Sequence, residues 1–156
     1  MILSNDELNL EISETGGTIC RLQKKDKHFF YPQQLVDVDG VNKMRGGMHI
    51  CSPIFGSPNG KGFFSQAPQH GELRDMLMHR VNCDMHERLG YRYKYTNWGV
   101  VLNYNIIYRI DQNTLNVGTY VENQTFNSIP FELGWHPYFN APQGGQVVFS
   151  YYCFIF

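Results

Sequence analysis

Two histidines, His70 and His136, are the side chains of this 156-residue sequence that best suit acid–base chemistry. The first lies within residues 69–75, where an imidazole, a guanidinium and two carboxylates occur together. The second lies between Trp135 and a Pro-Tyr-Phe run, where an aromatic wall could shield it from water. Because an imidazole titrates near neutral pH, each ring can serve as a general acid or base. The alternative for each is a histidine with a purely structural role.

Two arginines accompany these histidines. Arg74 follows His70 by four residues, so the pair could place a guanidinium and an imidazole against the oxygens of a hydroxylated ligand. Arg45 precedes two glycines, which would let the backbone approach a ligand closely. We expect these segments and the one around His136 to meet in space as part of a sugar site.

A metal site is the main alternative use of the histidines. The possible ligands near one another in the sequence are His49, Cys51, His70, His79, Cys83 and His86. None forms HExxH or a paired Cys/His spacing, and His49 with Cys51 supplies only two ligands on one strand face. The sequence also lacks GxSxG, GxGxxG and GxxxxGK[ST], the patterns of serine hydrolases and nucleotide-binding proteins. We therefore predict neither a metal nor another cofactor.

The composition narrows the classes of partner. A net charge of -1 and a pI near 6.6 argue against a nucleic-acid or membrane-surface partner. Four cysteines without a CxxC pair indicate reduced thiols, and the polar N-terminus does not resemble a signal peptide. No apolar run approaches the ~20 residues that cross a bilayer. The prediction is a cytoplasmic protein that binds a small molecule.

The elements that would position the site read as strands. Residues 8–13 and 18–22 alternate apolar and polar side chains around a Gly-Gly turn, which predicts a hairpin. Residues 91–95, 102–110 and 115–121 alternate in the same way and predict an antiparallel meander. No stretch of ten or more residues has the period of an amphipathic helix. We predict an all-β fold, a sandwich or large open sheets, with residues 1–156 in one domain.

Residues 37–71 differ from these strands because glycine and proline are frequent there. We predict a long functional loop, since loops of that length in compact domains commonly carry binding residues. The alternative is a disordered insert, which the apolar side chains spread through the segment disfavour. These side chains are Ile50, Cys51, Ile54, Phe55, Phe63 and Phe64.

The C-terminal segment has no charged side chain after Glu132 and ends in a run of apolar residues. A free apolar strand is an aggregation hazard that proteins normally cover or guard with charge. We expect either that this strand pairs with a partner, through self-association, or that the chain is C-terminally incomplete.

Three segments together resemble the aldose 1-epimerase, or galactose mutarotase-like, superfamily, including its hexose-6-phosphate epimerase branch. RGGMHICSPIFG at residues 45–56 resembles the family pattern RGG-x-PIC-x-P-x-FG. QHGELR at residues 69–74 resembles QHGFAR, and GWHPYF at residues 134–139 resembles the WHPYF or HTYF segment. The order of the three segments also agrees, so the likeness extends from about residue 8 to about residue 142.

The resemblance implies a β-supersandwich that interconverts the α and β anomers of a hexose or hexose phosphate, without metal or nucleotide. It implies that His136 donates a proton to the ring oxygen and that His70 supports the same oxygen or a neighbouring hydroxyl. Arg45, Gln69 and Arg74 correspond to substrate-binding positions, and the arginines would hold hydroxyls or a sugar phosphate.

The sequence departs from the family pattern in two ways. The family's general base is a glutamate farther toward the C-terminus, and neither Glu72 nor Glu132 matches its motif. The proline of PIC is His49 here, and the Phe-Ala of QHGFAR is Glu72-Leu73. A carbohydrate-binding module without catalysis is therefore the alternative function.

Overall fold

The computed structural model describes residues 1–58, 60, 62–81, 87–146 and 148. These residues form antiparallel strands joined by turns and three short 3-10 helices, and no α-helix occurs among them. The all-β prediction is thus confirmed. The strands are β1 (Ile2–Ser4), β2 (Asn9–Ile12), β3 (Ile19–Lys24), β4 (Lys27–His28), β5 (Gln34–Val38), β6 (Val41–Arg45), β7 (Met48–Cys51), β8 (His79–Val81), β9 (Arg88–Tyr95), β10 (Leu102–Asp111), β11 (Thr114–Asn123) and β12 (Gly134–Pro137).

The first sheet has the strand order β1-β2-β3-β7-β12, with β4 added beside β3. The predicted N-terminal hairpin is its β2–β3 pair, in which Leu10 lies opposite Leu22. The register shifts by one residue between Glu11 and Ile12, before the Gly-Gly turn. Strand β7 brings the middle of the chain into this sheet, and β12 joins it from far along the sequence.

The second sheet has the order β11-β10-β9-β8, which is the predicted meander with one further strand. Its central strand β10 alternates buried and more exposed side chains along its whole length, as a strand with one covered face must. Every second side chain of β10 is essentially inaccessible to solvent. These are Leu102, Tyr104, Ile106, Tyr108 and Ile110.

The two sheets enclose one core. Residues of both sheets belong to a single buried cluster, which includes Ile12 and Ile50 from the first sheet. Trp135 of β12 packs edge-on against Tyr108 of β10, with ring centroids 6.3 Å apart. Ser52, directly after β7, shares a buried hydrogen bond of 2.9 Å with the Tyr104 hydroxyl. These contacts fasten β7 and β12 to the opposite sheet.

The prediction of a long loop over residues 37–71 needs correction. The segment contains the end of β5, all of β6 and all of β7, and β5 and β6 form a separate two-stranded hairpin. Its turn is Asp39-Gly40, and both residues have positive φ, at 55° and 79°. An Asp-Gly pair in this conformation matches the right-handed twist of a hairpin, so the turn chemistry was legible in the sequence. The loop prediction relied on the frequency of glycine and proline and overlooked this hairpin signal.

Some predictions concern residues outside the described part of the chain. Cys20 and Cys51 are free thiols, whereas Cys83, His86 and Cys153 are not among the described residues. Most of the predicted C-terminal strand, at positions 147 and 149–156, also lies outside it. Within the described ranges, no helix has the length and apolarity needed to cross a bilayer.

Candidate active site

The candidate site lies where β7 pairs with β12. In this antiparallel pair His136 is directly opposite His49, and Trp135 is opposite Ile50. Successive side chains on a strand point to opposite faces, and Ile50 and Trp135 pack toward the core. The two histidines therefore share the face that points away from the core.

The 69–74 segment docks onto the end of β7 through its backbone. The Ser52 amide donates to the His70 carbonyl at 3.1 Å, and the Leu73 amide donates to the Ser52 carbonyl at 3.4 Å. His70 and Gly71 both have positive φ, at 68° and 67°. A Cβ atom added to Gly71 would lie 2.1 Å from the Ser52 carbonyl oxygen, so only glycine permits this approach.

Backbone groups also fix the His70 ring. The Gly56 amide donates to His70 Nδ1 at 3.0 Å, while the His70 amide donates to the Gly56 carbonyl at 2.8 Å. Since a backbone amide can only donate, Nδ1 is the acceptor and a neutral ring carries its proton on Nε2. This arrangement gives His70 a donor that can serve a ligand.

Three imidazoles meet at this place. The His49 and His136 rings are stacked, with centroids 4.9 Å apart and planes inclined by 10°. The His70 ring stands edge-on to His136 at 5.3 Å and to His49 at 6.3 Å. Tyr138, directly after the end of β12, adds a fourth ring at 4.9 Å from His136. The cluster offers several ring nitrogens to one small volume.

Arg74 connects the cluster to the preceding turn. Its Nη2 donates to the Gln69 carbonyl at 3.0 Å, and its Nη1 lies 3.5 Å from His49 Nε2. A carboxylate oxygen of Asp75 is 3.7 Å from Nε, but that carboxylate is largely exposed. Arg74 is thus held on several sides with its charge beside the imidazoles.

The rings and guanidinium groups line a cavity of about 580 Å³. All five predicted site residues contribute to its wall, namely Arg45, Gln69, His70, Arg74 and His136. The structure therefore brings together residues that the sequence separates widely. Their roles in binding or catalysis remain predictions.

The cavity wall is cationic. Lys43, Arg45 and Arg74 supply positive charge, and Asp75 is the only carboxylate among the described residues that line the cavity. Glu72 and Glu132 are occupied elsewhere. One oxygen of Glu72 accepts hydrogen bonds from the side chains of Tyr95, Asn97 and Trp98, and Glu132 accepts the Phe55 amide at 2.6 Å.

Burial and neighbouring charge keep two of the imidazoles neutral. Burial, followed by the Arg74 charge and the other histidines, lowers the pKa of His49 from 6.5 to about 4. Burial also lowers the pKa of His70, and His136 and Arg74 add to that effect. At neutral pH each of these two rings therefore has one N–H group that can donate a hydrogen bond and one nitrogen that can accept one.

His49 is the site residue that the sequence prediction omitted. It was considered there only as a possible metal ligand beside Cys51 and as the replacement of a proline in the resembled family. The available clue was its position two residues before Cys51 on a strand, next to the glycines that follow Arg45. Which strand would lie opposite it could not be deduced locally, because β12 comes from far along the chain.

The cluster is not arranged as a metal site. Among the residues that the structure describes, no three His, Cys, Asp or Glu side chains are grouped so that they could hold a metal ion.

Solved structures share the fold. A galactose mutarotase related enzyme from Lactobacillus acidophilus is 21% identical, with a TM-score of 0.73 over 91% of this chain and 49% of that one. A Synechocystis sp. PCC 6803 protein is 22% identical, with a TM-score of 0.77 over 92% and 55%. A galactose mutarotase-like protein from Lactobacillus casei is 18% identical, with a TM-score of 0.75 over 91% and 50%. A search of curated proteins found no match.

The chain spans about half the length of these solved structures. At such low identity these structures establish the fold alone. The assignment to a family rests on the match of the sequence to a family model. The model of the aldose 1-epimerase family matches residues 1–152, nearly the whole sequence. The resemblance seen in the three segments is confirmed, and the chain belongs to the aldose 1-epimerase family.

Proposed function

We propose that the cavity binds a hexose or hexose phosphate and that His136 and His70 take part in interconverting its α and β anomers. The observation that carries this proposal is the meeting of three imidazoles and two guanidinium groups around one cavity. Imidazoles suit proton transfer at neutral pH, and guanidinium groups suit oxygen-rich ligands.

In this mechanism the sugar ring opens by a proton relay. His136 donates a proton to the ring oxygen while a base removes the proton of the O1 hydroxyl. The C1–O5 bond breaks, a carbonyl forms at C1, and rotation about C1–C2 exposes its other face. The reverse proton transfers then close the ring as the other anomer, so the relay returns to a working protonation state.

The remaining residues would bind and orient the sugar. The proton on His70 Nε2 can be donated to the ring oxygen or a neighbouring hydroxyl, since Nδ1 is occupied by the Gly56 amide. Arg45, Gln69 and Arg74 would hold hydroxyl or phosphate oxygens around the cavity. Holding the sugar in a reactive geometry is itself a large part of such catalysis.

The alternative function is a carbohydrate-binding module without catalysis. It is favoured by the engagement of Glu72 and Glu132 away from the cavity, because a carboxylate base would have to reach O1. Asp75 lines the cavity, but its carboxylate is largely exposed and lies beside the Arg74 guanidinium.

Polarimetry and calorimetry separate these possibilities. The proposed mutarotase accelerates the anomeric exchange of glucose, galactose or glucose 6-phosphate over buffer and loses that rate in His136→Ala. His79→Ala, which removes an exposed histidine on β8, is the matched control and keeps it. Saturable sugar binding without acceleration selects the binding module. If none of the three sugars binds and none is interconverted faster than in buffer, the proposal is overturned.

A further inference from the structure

Among the described residues, the His136 ring lacks the hydrogen bond that would usually fix its orientation. Its Nδ1 is buried and has no hydrogen-bond partner among the described residues. Histidines that act in catalysis are normally held by a hydrogen bond on the nitrogen that faces away from the substrate. The ring torsion of histidine is otherwise broad, so packing has to fix the ring.

His49 supplies the flattest packing surface for that ring. The two residues face each other across the β7–β12 pair, and their rings are nearly parallel at 4.9 Å. Tyr138 also contacts His136, but its plane is inclined by 30°. Side chains directly opposite on an antiparallel pair are the closest cross-strand neighbours, so the strand register itself builds this stack.

His49 also contacts Arg74. Its Nε2 is 3.5 Å from Arg74 Nη1, at the long end of the hydrogen-bond range, and a guanidinium can only donate. The accepting ring must then be unprotonated at Nε2. Burial and the neighbouring cations favour that neutral form, since a charged His49 would repel both Arg74 and a protonated His136.

We propose that His49 is a positioning residue of the sugar site: its ring face sets the orientation of His136 and its Nε2 holds the Arg74 guanidinium. The geometry of this proposal rests on the ring stack and the Arg74 contact. Its consequence for catalysis rests on the proposed function. A proline at this position, as in the resembled family pattern, has neither an aromatic face nor a ring acceptor.

Two substitutions separate the functions of the ring. His49→Phe keeps a flat face and removes the acceptor, whereas His49→Leu removes both. Tyr138→Leu is the matched control, because it deletes another ring that packs on His136. The readout is the NMR chemical shift of the carbon-bound His136 ring protons, assigned with His136→Ala, since a stacked ring shifts these resonances.

The expected result is a large change of the His136 resonances in His49→Leu, a small one in His49→Phe, and a smaller change in Tyr138→Leu than in His49→Leu. Unchanged resonances in both His49 variants, or a change confined to Tyr138→Leu, overturn the proposal. This comparison needs neither bound sugar nor turnover. It therefore remains decisive if the proposed function fails.

Kinetics give the second readout if wild-type protein accelerates anomer exchange. His49→Leu is expected to lower kcat by ~10–100-fold, the usual effect of misplacing a reacting group slightly. His49→Phe is expected to recover most of kcat while KM rises, because Arg74 is then less well held. Equal losses of kcat in the two variants would contradict positioning through the ring face.

Discussion

Each of the three site histidines is fixed by a different kind of contact. A backbone amide holds the His70 ring at Nδ1, the Arg74 guanidinium contacts His49, and stacking holds His136. The ring with the fewest hydrogen bonds is the one proposed to transfer a proton. Because its Nδ1 is buried, Nε2 is the nitrogen that could serve a ligand.

The pH dependence of stability follows from the lowered pKa of His49. As pH falls from 6.5 to about 4, the unfolded chain binds a proton that the folded chain does not. The free energy of unfolding should therefore fall through that window, by at most ~1.4 kcal/mol per pH unit for one group, and should be independent of this group above it. The lowered pKa of His70 acts in the same direction.

Chemical denaturation of wild type and His49→Phe across that pH window tests this expectation. The variant should lose part of the slope, whereas His79→Phe, at an exposed position on β8, should keep it. An identical slope in wild type and His49→Phe would show that His49 titrates in the folded protein as it does in the unfolded chain.

At the scale of elements, the site depends on how the 69–74 segment docks onto β7. Gly71 is the point of closest approach, since its missing side chain lets the Ser52 carbonyl lie against it. The same carbonyl accepts the Leu73 amide. The strand that carries His49 and the turn that carries His70 are thus one structural unit.

Gly71→Ala should destabilise the protein by at least ~3 kcal/mol, because it adds a backbone clash to the cost of positive φ. Gly40→Ala is the matched control: its φ is also positive, at 79°, but nothing lies within 4 Å of the added atom. That control should lose only ~1 kcal/mol. Urea denaturation measures both, and equal losses would mean that the 69–74 segment can move off β7.

Strands were predictable from the sequence to the extent that one face is buried. The alternation in β10 is complete, so the meander was identified from residues 102–110. Strands β5 and β6 bury little of their surface and show no such alternation, so only the Asp39-Gly40 turn marked them. Alternation of apolar and polar residues arises where one face of a strand is buried, and a hairpin on the surface buries too little to produce it.

The candidate site was predictable as a set of residues but not as an arrangement. Arginine, histidine and glycine in three ordered segments identified Arg45, His70, Arg74 and His136. The stack with His49 depends on the register between β7 and β12, which are separated by the whole second sheet in sequence. Long-range strand pairing leaves no local trace in the sequence, so this residue was omitted.

At the scale of the molecule, charge is distributed unevenly. The whole chain carries a net charge of -1, yet the described residues that line the cavity include Lys43, Arg45 and Arg74 and only one carboxylate, Asp75. A concave surface of one sign concentrates ligands of the other sign. The sandwich therefore presents a positive cavity on a nearly neutral protein.

A hexose 6-phosphate should accordingly bind more tightly than the free hexose, and added salt should weaken its binding more. Calorimetry at low and high ionic strength measures both effects. Arg74→Gln should reduce the preference for the phosphate, whereas Arg109→Gln, at an exposed position on β10, should not. Equal affinities for the two ligands at low salt would contradict a phosphate-directed cavity.

The most direct test of the sugar site is an NMR titration of the histidine ring resonances with glucose, galactose and glucose 6-phosphate. If the cavity lined by His49, His70 and His136 binds sugar, the resonances of these three histidines shift together and saturate with one dissociation constant for at least one of these ligands, while His79 stays unchanged. Absence of any shift at the three clustered histidines, or shifts only at other histidines, would contradict the assignment of the sugar site to this cavity.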